Sequence, residues 1–512
     1  MLARVYSGAV YGVNAYPVEL EINCSLGDPK FVLVGLPDAA VKESKDRVLT
    51  AIGNSAFRFE TFPKITINLA PADIKKEGPV YDLPIAVGLI SALELAKMPG
   101  LSHYAMIGEL ALSGEVRRVQ GVLPVTLAMR DLGKRGILVP AENAEEAAVA
   151  EGIDVFPVRT LREAVDFLAG KTKIEPFRAD LNELISRERR YAEDFSDVKG
   201  QESAKRAIEI AVSGGHNLLM IGSPGAGKTM LARRIPTILP EMTLDEALEA
   251  TRIHSIAGTL KSHQALVFQR PFRAPHHTIS DAGLLGGGAH PLPGEVSLAH
   301  RGVLFLDELP EFHRNVLEVL RQPLEDGHVT ISRAAASLDF PSKFMLVAAM
   351  NPCPCGYSGD PQRECRCSAQ KIQQYRGKVS GPLLDRIDMH IEVPPVKFSE
   401  LSSLQKGESS AEIRARVVAC RRLQRERFHS LRNVNCNAEM SARDLQKFCP
   451  LDSAAQDLLK MAMSELNFSA RAYNRIVKVA RTIADMAGSG DIRAEHVSEA
   501  IQYRSLDRMM WI

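Results

Sequence analysis

Hydrophobic and polar positions divide the chain into regions with different periodicity. From residue 1 to about 170, short apolar runs such as VELEI and KFVLVGLP end at Gly or Pro, and helical patterns such as LPIAVGLISALELAK lie between them. Apolar runs bounded by turn residues are typical of strands, whereas apolar positions three or four residues apart are typical of helices. The pattern therefore predicts a compact α/β domain over residues 1–170.

The rest of the chain divides into three further parts. Residues 171–196 are polar and rich in charges, which predicts a linker. Residues 197–395 alternate strand and helix patterns, as in a parallel sheet covered by helices. Residues 396–512 lose the strand pattern and contain long amphipathic segments such as RAYNRIVKVARTIADMAG. We therefore predict an α/β protein with a parallel-sheet core and a helical C-terminal domain.

Composition indicates an ordinary globular protein. The chain has 512 residues, of which 45% are apolar and 24% are charged, and its net charge is +1. A nucleic-acid partner would therefore have to meet a local patch or a pore. No apolar run reaches the ~18 residues of a membrane span, and the first residues lack the pattern of a signal peptide. Eight cysteines in a chain of this length do not indicate a disulfide framework. We expect a cytoplasmic protein with no membrane partner.

A phosphate-binding loop is predicted between a strand and a helix. The apolar run NLLMI precedes GSPGAGKT, and the helical pattern MLARRI follows it. Glycines let backbone N–H groups surround phosphate oxygens, Lys228 reaches the β- and γ-phosphates, and Thr229 ligates Mg²⁺. The alternative, a chance Gly-rich turn, does not explain the flanking strand and helix. We predict ATP and Mg²⁺ as cofactors. The residues of the loop are Gly222, Ser223, Pro224, Gly225, Ala226, Gly227, Lys228 and Thr229.

Two further apolar strands end in polar residues that suit the same site. GVLFL is followed by Asp307 and Glu308, and FMLVAAM is followed by Asn351. Because ligands bind at the carboxyl ends of strands in open α/β sheets, we predict that Asp307 holds Mg²⁺ and that Glu308 polarises the attacking water. Asn351 is predicted to orient that water. The alternatives are two solvated acids at an ordinary strand end and a turn asparagine before Pro352.

Four cysteines are candidate metal ligands. Cys353 and Cys355 form one C-x-C pair, and Cys365 and Cys367 form another after nine intervening residues. Four thiolates suit tetrahedral Zn²⁺, and the turn-rich loop between the pairs allows them to meet. The usual knuckle spacing is C-x₂-C, so four reduced cysteines in a loop are the alternative.

Motifs further along the chain match a known family. The phrases FRAPHHTISDAGLLGGG, SGPLLDRIDMHIEV and LNFSARAYNRIVKVARTIAD resemble the ComM/YifB family of magnesium-chelatase-like AAA+ ATPases. The resemblance covers nearly the whole chain and implies an AAA+ core with a helical lid. It implies that Arg386 is an arginine finger for a neighbouring subunit's nucleotide, and that Arg471, with Arg475 as the rival, contacts the γ-phosphate. Such arginines stabilise charge on the transferred phosphoryl group. The alternatives are a salt bridge from Arg386 to Asp385 or Asp388, and a solvated helix face for Arg471.

The same resemblance implies an assembly and a partner. A site shared by two subunits requires a ring or a filament, and the usual ring in this clade is a hexamer. A hairpin that contains Arg333 and an insertion over about residues 273–299 resemble pore elements that grip a DNA backbone, although an ordinary surface hairpin is the alternative. The adjacent His276 and His277 point in different directions, so we expect packing or polar contacts there and no shared metal ion.

The function that this resemblance implies is an ATP-dependent DNA motor, a helicase or branch-migration enzyme of homologous recombination and natural transformation. Two alternatives are an ATPase subunit of magnesium chelatase and an AAA+ factor that remodels proteins. Stimulation of ATP hydrolysis by DNA, by chelatase partners or by neither distinguishes the three.

Residues 75–140 resemble the Lon protease domain without its catalytic dyad. The phrases KEGP, IGEL, GEV and GILVP carry this resemblance. A Ser–Lys dyad needs a hydroxyl nucleophile and a desolvated lysine that takes its proton. Val80, Tyr81 and Asp82 stand where the serine would lie, and Val-Leu-Pro-Val follows Gly121 where the lysine would lie. We expect a Lon-protease-like α/β domain with no peptidase activity, serving ring assembly or nucleic-acid contact.

Overall fold

The structure of the chain, a computed structural model, contains two compact units built from segments that are separate in sequence. The described residues are 2–25, 27–57, 63–72, 74–180, 191–261, 264–288, 291–333, 336–360, 363–396, 407–431, 434–466 and 468–504. The first unit comprises Met1–Arg189, Leu244–Phe268 and Ser332–Phe340, and the second comprises Arg190–Thr243, Gln269–Ile331 and Pro341–Ile512. Among the described helices, none combines the length and apolar character that crossing a bilayer requires.

A seven-stranded sheet is the framework of the first unit. The strands of this unit's N-terminal segment are β1 (Leu2–Tyr11), β2 (Asn14–Ser25), β3 (Lys30–Val34), β4 (Lys64–Ala70), β5 (Tyr104–Met106), β6 (Glu109–Leu110), β7 (Val116–Arg117), β8 (Gly136–Pro140) and β9 (Asp154–Val158). The sheet order is β3-β4-β2-β1-β5-β8-β9, and β6 pairs with β7 separately. Alternate residues of β2, among them Val18, Leu20 and Ile22, are buried, as the run VELEI predicts.

Helices pack on this sheet and close the core of the first unit. They are Ala39–Asn54, Asp82–Ala92, Val122–Asp131, Ala144–Ala148, Leu161–Leu168 and Leu244–Ile256. The helix Asp82–Ala92 is buried on nearly every side, which its continuous apolar sequence allows. A Cβ on Gly88 would overlap the side chain of Ile22, so the glycine lets this helix approach the sheet closely.

The segment Leu244–Phe268 lies inside the predicted ATPase range 197–395 but packs within the first unit. Its Ser255 hydroxyl donates to the Glu146 carboxylate at 2.5 Å, and its Ser255 carbonyl accepts the N–H of Gly121 at 3.3 Å. Glu146 also accepts the N–H of Leu123 at 3.0 Å, so one buried carboxylate joins the segment to the start of the helix Val122–Asp131. The ATPase sequence therefore contributes a helix to the N-terminal unit.

A five-stranded parallel sheet forms the framework of the second unit. The remaining strands of the chain are β10 (Leu218–Ile221), β11 (Phe272–Arg273), β12 (Gly286–Gly287), β13 (Leu292–Pro293), β14 (Val303–Leu306), β15 (His328–Arg333), β16 (Ala336–Pro341), β17 (Met345–Met350) and β18 (Met389–Glu392). The sheet order is β11-β14-β17-β10-β18, and β12 pairs with β13, as β15 does with β16. The predicted parallel-sheet core is confirmed, and the carboxyl ends of β10, β14 and β17 lie along one edge.

Helices surround this sheet and continue into the C-terminal region. Those of the sheet region are Glu202–Gly214, Lys228–Ile238, Asp281–Leu285, Glu295–Leu298, Arg314–Glu318, Arg321–Asp326, Ala369–Arg376 and Gly381–Leu384. Those of the C-terminal region are Ser410–Phe428, Ala442–Phe448, Ser453–Glu465, Ala470–Met486 and Ala494–Gln502. Over the described residues between 407 and 504 the elements are helical, so the predicted helical C-terminal region is confirmed. Its helices share one hydrophobic core with β10 and β17.

Candidate nucleotide-binding site

The loop after β10 has the backbone that a phosphate cradle needs. All four residues of β10 are buried, and the helix Lys228–Ile238 begins directly after the loop. Gly225 and Gly227 have φ angles of 82° and 92°, a region that glycine enters without strain. A Cβ on Gly222 would overlap the carbonyl oxygen of Val393. The glycines of the motif are therefore required by the fold of the loop itself.

Lys228 lies at the centre of this loop. Its ammonium group donates to the carbonyl oxygens of Gly222 at 2.6 Å and Ser223 at 3.1 Å, and to Asn351 Oδ1 at 3.2 Å. Only 8% of the residue is exposed. Burial lowers the pKa of Lys228, while the carboxylates of Asp307 and Glu308 act to raise it. The loop thus contains a shielded cation held among oxygen atoms, which is the donor chemistry that phosphate oxygens require.

The residues predicted to hold Mg²⁺ are in contact with each other. The hydroxyl of Thr229 donates to Asp307 Oδ2 at 2.6 Å, and the N–H of Glu308 donates to Asp307 Oδ1 at 2.9 Å. A hydroxyl and a carboxylate are hard oxygen ligands of the kind that Mg²⁺ takes beside nucleotide phosphates. The residues present therefore fit the ion.

Glu308 has an unusual backbone conformation. Its φ and ψ are 53° and 46°, the left-handed region that residues with a Cβ seldom adopt. Such outliers are concentrated at functional sites, where the surrounding structure fixes them. The side chain of Glu308 is 55% exposed, so its carboxylate is accessible to water.

Asn351 reaches this site because of the strand order. β17 lies between β10 and β14, so the residue after β17 lies between the phosphate loop and the carboxylates. The Asn351 side chain contacts Lys228, and Lys228 and Thr229 are consecutive. The structure thereby brings together Lys228, Thr229, Asp307 and Asn351.

His277 is a neighbour of Glu308 that the sequence did not identify. Its Nδ1 lies 3.5 Å from Glu308 Oε2, and its ring centroid lies 4.1 Å from that of His276. The expected packing and polar contacts are therefore present. β11, which precedes the histidines, is hydrogen-bonded to β14, which precedes Glu308, and this adjacency explains the contact. The only sequence signal was the position of the histidines shortly after a short apolar run.

Arg386 and Arg471 contact residues outside this cluster, namely Pro382 and Glu325 for Arg386 and Asp385 for Arg471. Arg386 is 7% exposed and donates from Nη1 to the Pro382 carbonyl at 2.6 Å and from Nη2 to Glu325. Its ion-pair partner within the chain is thus Glu325, a residue that neither sequence-based alternative named. Burial lowers the pKa of Arg386. Arg471 is 65% exposed in its side chain, with Nη1 3.5 Å from Asp385 Oδ2.

Arg475, the rival of Arg471, has a different environment. Its Nη1 donates to the buried Asp388 carboxylate, and its Nε donates to the Asp385 carbonyl at 2.9 Å. Burial acts to raise the pKa of Asp388, but Arg475 holds that pKa below its usual range. Arg475 is therefore committed to joining the helix Ala470–Met486 to the residues before β18, while Arg471 remains available to a ligand.

The four cysteines of the two C-x-C pairs converge. Their ligand atoms lie within 4.8 Å of one another, and Cys353 Sγ lies 3.3 Å from Cys355 Sγ and 3.7 Å from Cys365 Sγ. Cys355 and Cys365 are 3.6 Å apart at Sγ. A tetrahedral ion with Zn–S bonds of about 2.3 Å requires sulfur–sulfur separations of about 3.8 Å. The donor set and its spacing therefore fit Zn²⁺.

Backbone amides also point at these sulfurs. The N–H of Ser358 donates to Cys353 Sγ at 3.3 Å, and the N–H of Cys367 donates to Cys365 Sγ at 3.5 Å. Backbone N–H groups of Tyr357 and Arg366 lower the pKa of the Cys355 thiol to about 6. For Cys365 the N–H of Cys367 acts to lower the pKa, but burial and the neighbouring Cys355 and Cys353 raise it to about 12. Such hydrogen bonds favour the thiolate, which is the form that binds metal.

Two other regions that the sequence singled out are the hairpin that contains Arg333 and the insertion over residues 273–299. β15 ends at Arg333, and the Arg333 side chain lies outside the described residues. The region 273–299 forms β11's end, two short helices and the β12–β13 pair, with Arg273 and Glu295 in a bidentate ion pair at 2.6 Å for each contact. This ion pair fixes the two ends of the insertion to each other.

Asp82, one of the residues where the resemblance to Lon would place the serine, forms an ion pair with Arg47. Asp82 is fully buried and accepts from Arg47 Nε at 2.7 Å and from the N–H of Leu110 at 3.2 Å. It also accepts from the Ser44 hydroxyl. These contacts join three parts of the first unit. Donors from three residues, Arg47, Ser44 and Leu110, satisfy the Asp82 carboxylate and compensate for its burial.

Known families match three parts of this chain. "Magnesium chelatase, subunit ChlI" matches residues 194–401, "Subunit ChlI of Mg-chelatase" matches residues 20–143, and "Magnesium chelatase, subunit ChlI C-terminal" matches residues 407–504.

Individual relatives align over the whole length. Competence protein ComM of Haemophilus influenzae is 44% identical over 514 residues, covering 99% of this chain and 98% of that protein. Protein YifB of Escherichia coli is 44% identical over 511 residues with the same two shares, 99% and 98%. Lon protease 2 of Bacillus subtilis is 30% identical over 194 residues, which are 34% of each chain.

Proposed function

Because the chain belongs to the ComM/YifB family of magnesium-chelatase-like AAA+ proteins, we propose that it is an ATP-driven, ring-forming motor that acts on DNA. The observation that carries the ATPase part is the contact network among Lys228, Thr229, Asp307 and Asn351. The DNA part is supported by the relative named as a competence protein, since competence is the uptake of DNA. We propose branch migration during homologous recombination and natural transformation as the specific activity.

In the proposed mechanism each side chain of the network has one task. Lys228 binds the β- and γ-phosphates, and Thr229 and Asp307 hold Mg²⁺, which when bound neutralises charge on those phosphates. Glu308 accepts a proton from the attacking water, and Asn351 orients that water. The left-handed backbone of Glu308 and the hydrogen bond from its N–H to Asp307 support this role, because they fix the backbone from which the Glu308 side chain extends beside the ion-binding residues.

We propose that the ring is a hexamer whose subunits share each nucleotide site. Arg386 would supply the finger to the neighbouring subunit and Arg471 would contact the γ-phosphate from the helical lid. Arg386 is buried and its Nη2 contacts Glu325, whose side chain is 57% exposed, so the finger role requires that a neighbouring subunit's phosphate replace Glu325 as the partner of the guanidinium. An always-charged, planar guanidinium suits this exchange of one anion for another.

We also propose Zn²⁺ as a second metal, bound by Cys353, Cys355, Cys365 and Cys367. Separations of 3.3–3.7 Å among the sulfurs of Cys353, Cys355 and Cys365, and the grouping of all four ligand atoms within 4.8 Å, support it, as do the N–H···S hydrogen bonds. All eight cysteines are described and are free of disulfides, which supports a reducing, cytoplasmic location. Protein purified without chelator is expected to contain about one Zn²⁺ per chain. Elemental analysis that finds no metal in such reduced protein would remove this cofactor from the proposal.

The motor activity is tested by ATP hydrolysis and strand exchange in parallel. The protein should hydrolyse ATP faster with branched or single-stranded DNA and should move a labelled three-strand junction, whereas Glu308→Gln protein should do neither. A second candidate, an ATPase subunit of magnesium chelatase, is favoured by the matching families. Hydrolysis that responds to chelatase partner subunits and not to DNA would favour that candidate and exclude the DNA motor.

A further inference from the structure

The turn that carries the first two cysteines touches the phosphate loop. Gly356 ends this turn, and its N–H donates to the Cys353 carbonyl at 2.9 Å. A Cβ on Gly356 would overlap Pro224 Cδ and lie 2.6 Å from Pro224 Cγ. The proline ring cannot rotate away as a flexible side chain would. The cysteine turn therefore packs on the phosphate loop at a separation that only glycine allows.

The same turn continues directly from Asn351. Cys353 is fully buried two residues after Asn351, and the intervening Pro352 carbonyl accepts from Arg376 Nε at 3.1 Å. Asn351 in turn contacts Lys228. The cysteine cluster is thus joined to the nucleotide site at two points, through Pro224 on the loop and through Asn351 at the strand end.

We propose that the four-cysteine cluster, with Zn²⁺ bound, is a positioning element of the nucleotide site. It rests on the proposed ATPase function and on the proposed metal. Zn²⁺ would tie Cys365 and Cys367 to the turn Cys353–Gly356, and the turn would hold Pro224 and Asn351 in the arrangement that binds phosphate. The cysteines themselves need not contact nucleotide. Their effect passes through Asn351 and the phosphate loop.

A matched pair of glycines in the cysteine loop isolates the contact with Pro224. Gly356 and Gly359 have φ angles of 84° and 82°, but a Cβ on Gly359 would have nothing within 4 Å. Gly356→Ala and Gly359→Ala therefore introduce the same backbone strain, and only the first changes the contact with the loop. We expect Gly356→Ala to weaken nucleotide binding by about tenfold or more, and Gly359→Ala by less than about threefold. Both should keep about one Zn²⁺ per chain.

Binding is measured with a fluorescent ATP analogue, and zinc content by elemental analysis of the same samples. The double variant Pro224→Ala/Gly356→Ala removes the ring atoms that the new methyl group meets, so it should bind nucleotide more tightly than additive single-variant effects predict. If Gly356→Ala fails to fold, the effect of zinc removal still decides. Equal affinities for the two alanine variants, or additive effects in the cycle, would overturn the proposal.

Zinc removal supplies the second arm. Cys367→Ser should lose zinc, raise the KM for ATP and lower kcat, while amide exchange in residues 222–229 becomes faster. If wild-type protein hydrolyses ATP and Cys367→Ser protein has the same KM, kcat and amide exchange, the positioning role is refuted and the proposed ATPase function stands. Wild-type protein with zinc that does not hydrolyse ATP would instead refute the proposed function.

Discussion

Replacing Arg475 with methionine removes the charged partner of a buried carboxylate. The side chain of Asp388 is 2% exposed and that of Arg475 is 24% exposed. Asp388 also accepts the N–H of Asn217 at 2.8 Å, and this hydrogen bond remains in the variant. Methionine preserves most of the apolar length of the arginine side chain. The perturbation is therefore mainly the loss of charge and of the hydrogen bonds to Asp388 and to the Asp385 carbonyl.

The magnitude follows from this burial. Removing one partner of a buried ion pair typically costs about 3–5 kcal/mol, because the remaining charge is left uncompensated. The surviving hydrogen bond from Asn217 and the partial exposure of Arg475 place the expected cost near the lower end, at about 3 kcal/mol. Arg471 provides the matched control on the same helix, since its pair with Asp385 is separated by 3.5 Å and its side chain is 65% exposed. An exposed pair of this kind contributes about 0–1 kcal/mol.

The assay is amide hydrogen exchange in the helix Ala470–Met486, which reports the free energy of its local opening. Arg475→Met should lower that free energy by about 3 kcal/mol, and adding Asp388→Asn should recover much of the loss because no unpaired charge remains. Arg471→Met should leave exchange almost unchanged but reduce ATP hydrolysis. The reasoning fails if Arg475→Met changes the opening free energy by less than about 1 kcal/mol, or if the double variant opens as easily as the single one.

Three further predictions concern catalysis and pH. Glu308→Gln should bind ATP normally yet hydrolyse it at least about 100-fold more slowly, and turnover at the parental rate would exclude Glu308 as the base. Arg386→Ala and Lys228→Ala proteins should each be inactive, but their mixture should regain ATP hydrolysis. In mixed assemblies the intact phosphate loop of an Arg386→Ala subunit meets the intact finger of a Lys228→Ala subunit. Labelled chains that exchange subunits without regaining activity, with or without DNA, would count against a shared site. Burial lowers the pKa of His216 from 6.5 to about 4. As pH falls, the imidazole is therefore protonated in the unfolded chain before it is protonated in the folded one. The stability contributed by the neutral ring is complete above pH 6.5 and is lost as pH falls towards 4. The free energy of unfolding should fall by about 3 kcal/mol over this window, since each of the 2.5 pKa units corresponds to about 1.36 kcal/mol. Urea unfolding of His216→Gln should show a weaker pH dependence between pH 6.5 and 4, whereas the exposed control His429→Gln should behave like the parent protein. Identical profiles for the two variants would contradict the assignment.

The phosphate loop and the two carboxylates after β14 could be located from the sequence because each motif is contiguous. A strand, a Gly-rich loop and a helix follow one another at Lys228, and local sequence decides all three. The sequence also placed Asn351 at this site, but the contact of His277 with Glu308 could not be predicted, because sheet order is a property of the whole chain. β17 lies between β10 and β14, which brings Asn351 to Lys228, and the two-residue β11 brings His277 to Glu308.

Contacts between distant residues account for the other differences. As the alternative to a finger, the sequence offered an ion pair of Arg386 with the nearby Asp385 or Asp388, but its partner within the chain is Glu325, from the helix Arg321–Asp326. The strand and helix alternation over residues 197–395 places Leu244–Phe268 in the ATPase core. It does not reveal that this segment packs within the N-terminal unit, because a sequence pattern identifies an element without identifying what covers it.

The helix Leu244–Ile256 has a practical consequence for dividing the protein into working parts. A truncated chain that begins at Arg190 would keep Leu244–Phe268 but lose the helix and the carboxylate against which it packs. Ala247, Ala250 and Ile253, all buried in the full chain, would then face solvent as an apolar patch. Such a fragment should self-associate through this patch, and its oligomers would say nothing about the proposed ring. Separating the ATPase from its N-terminal partner requires excising or recoding the helix as well as cutting the chain.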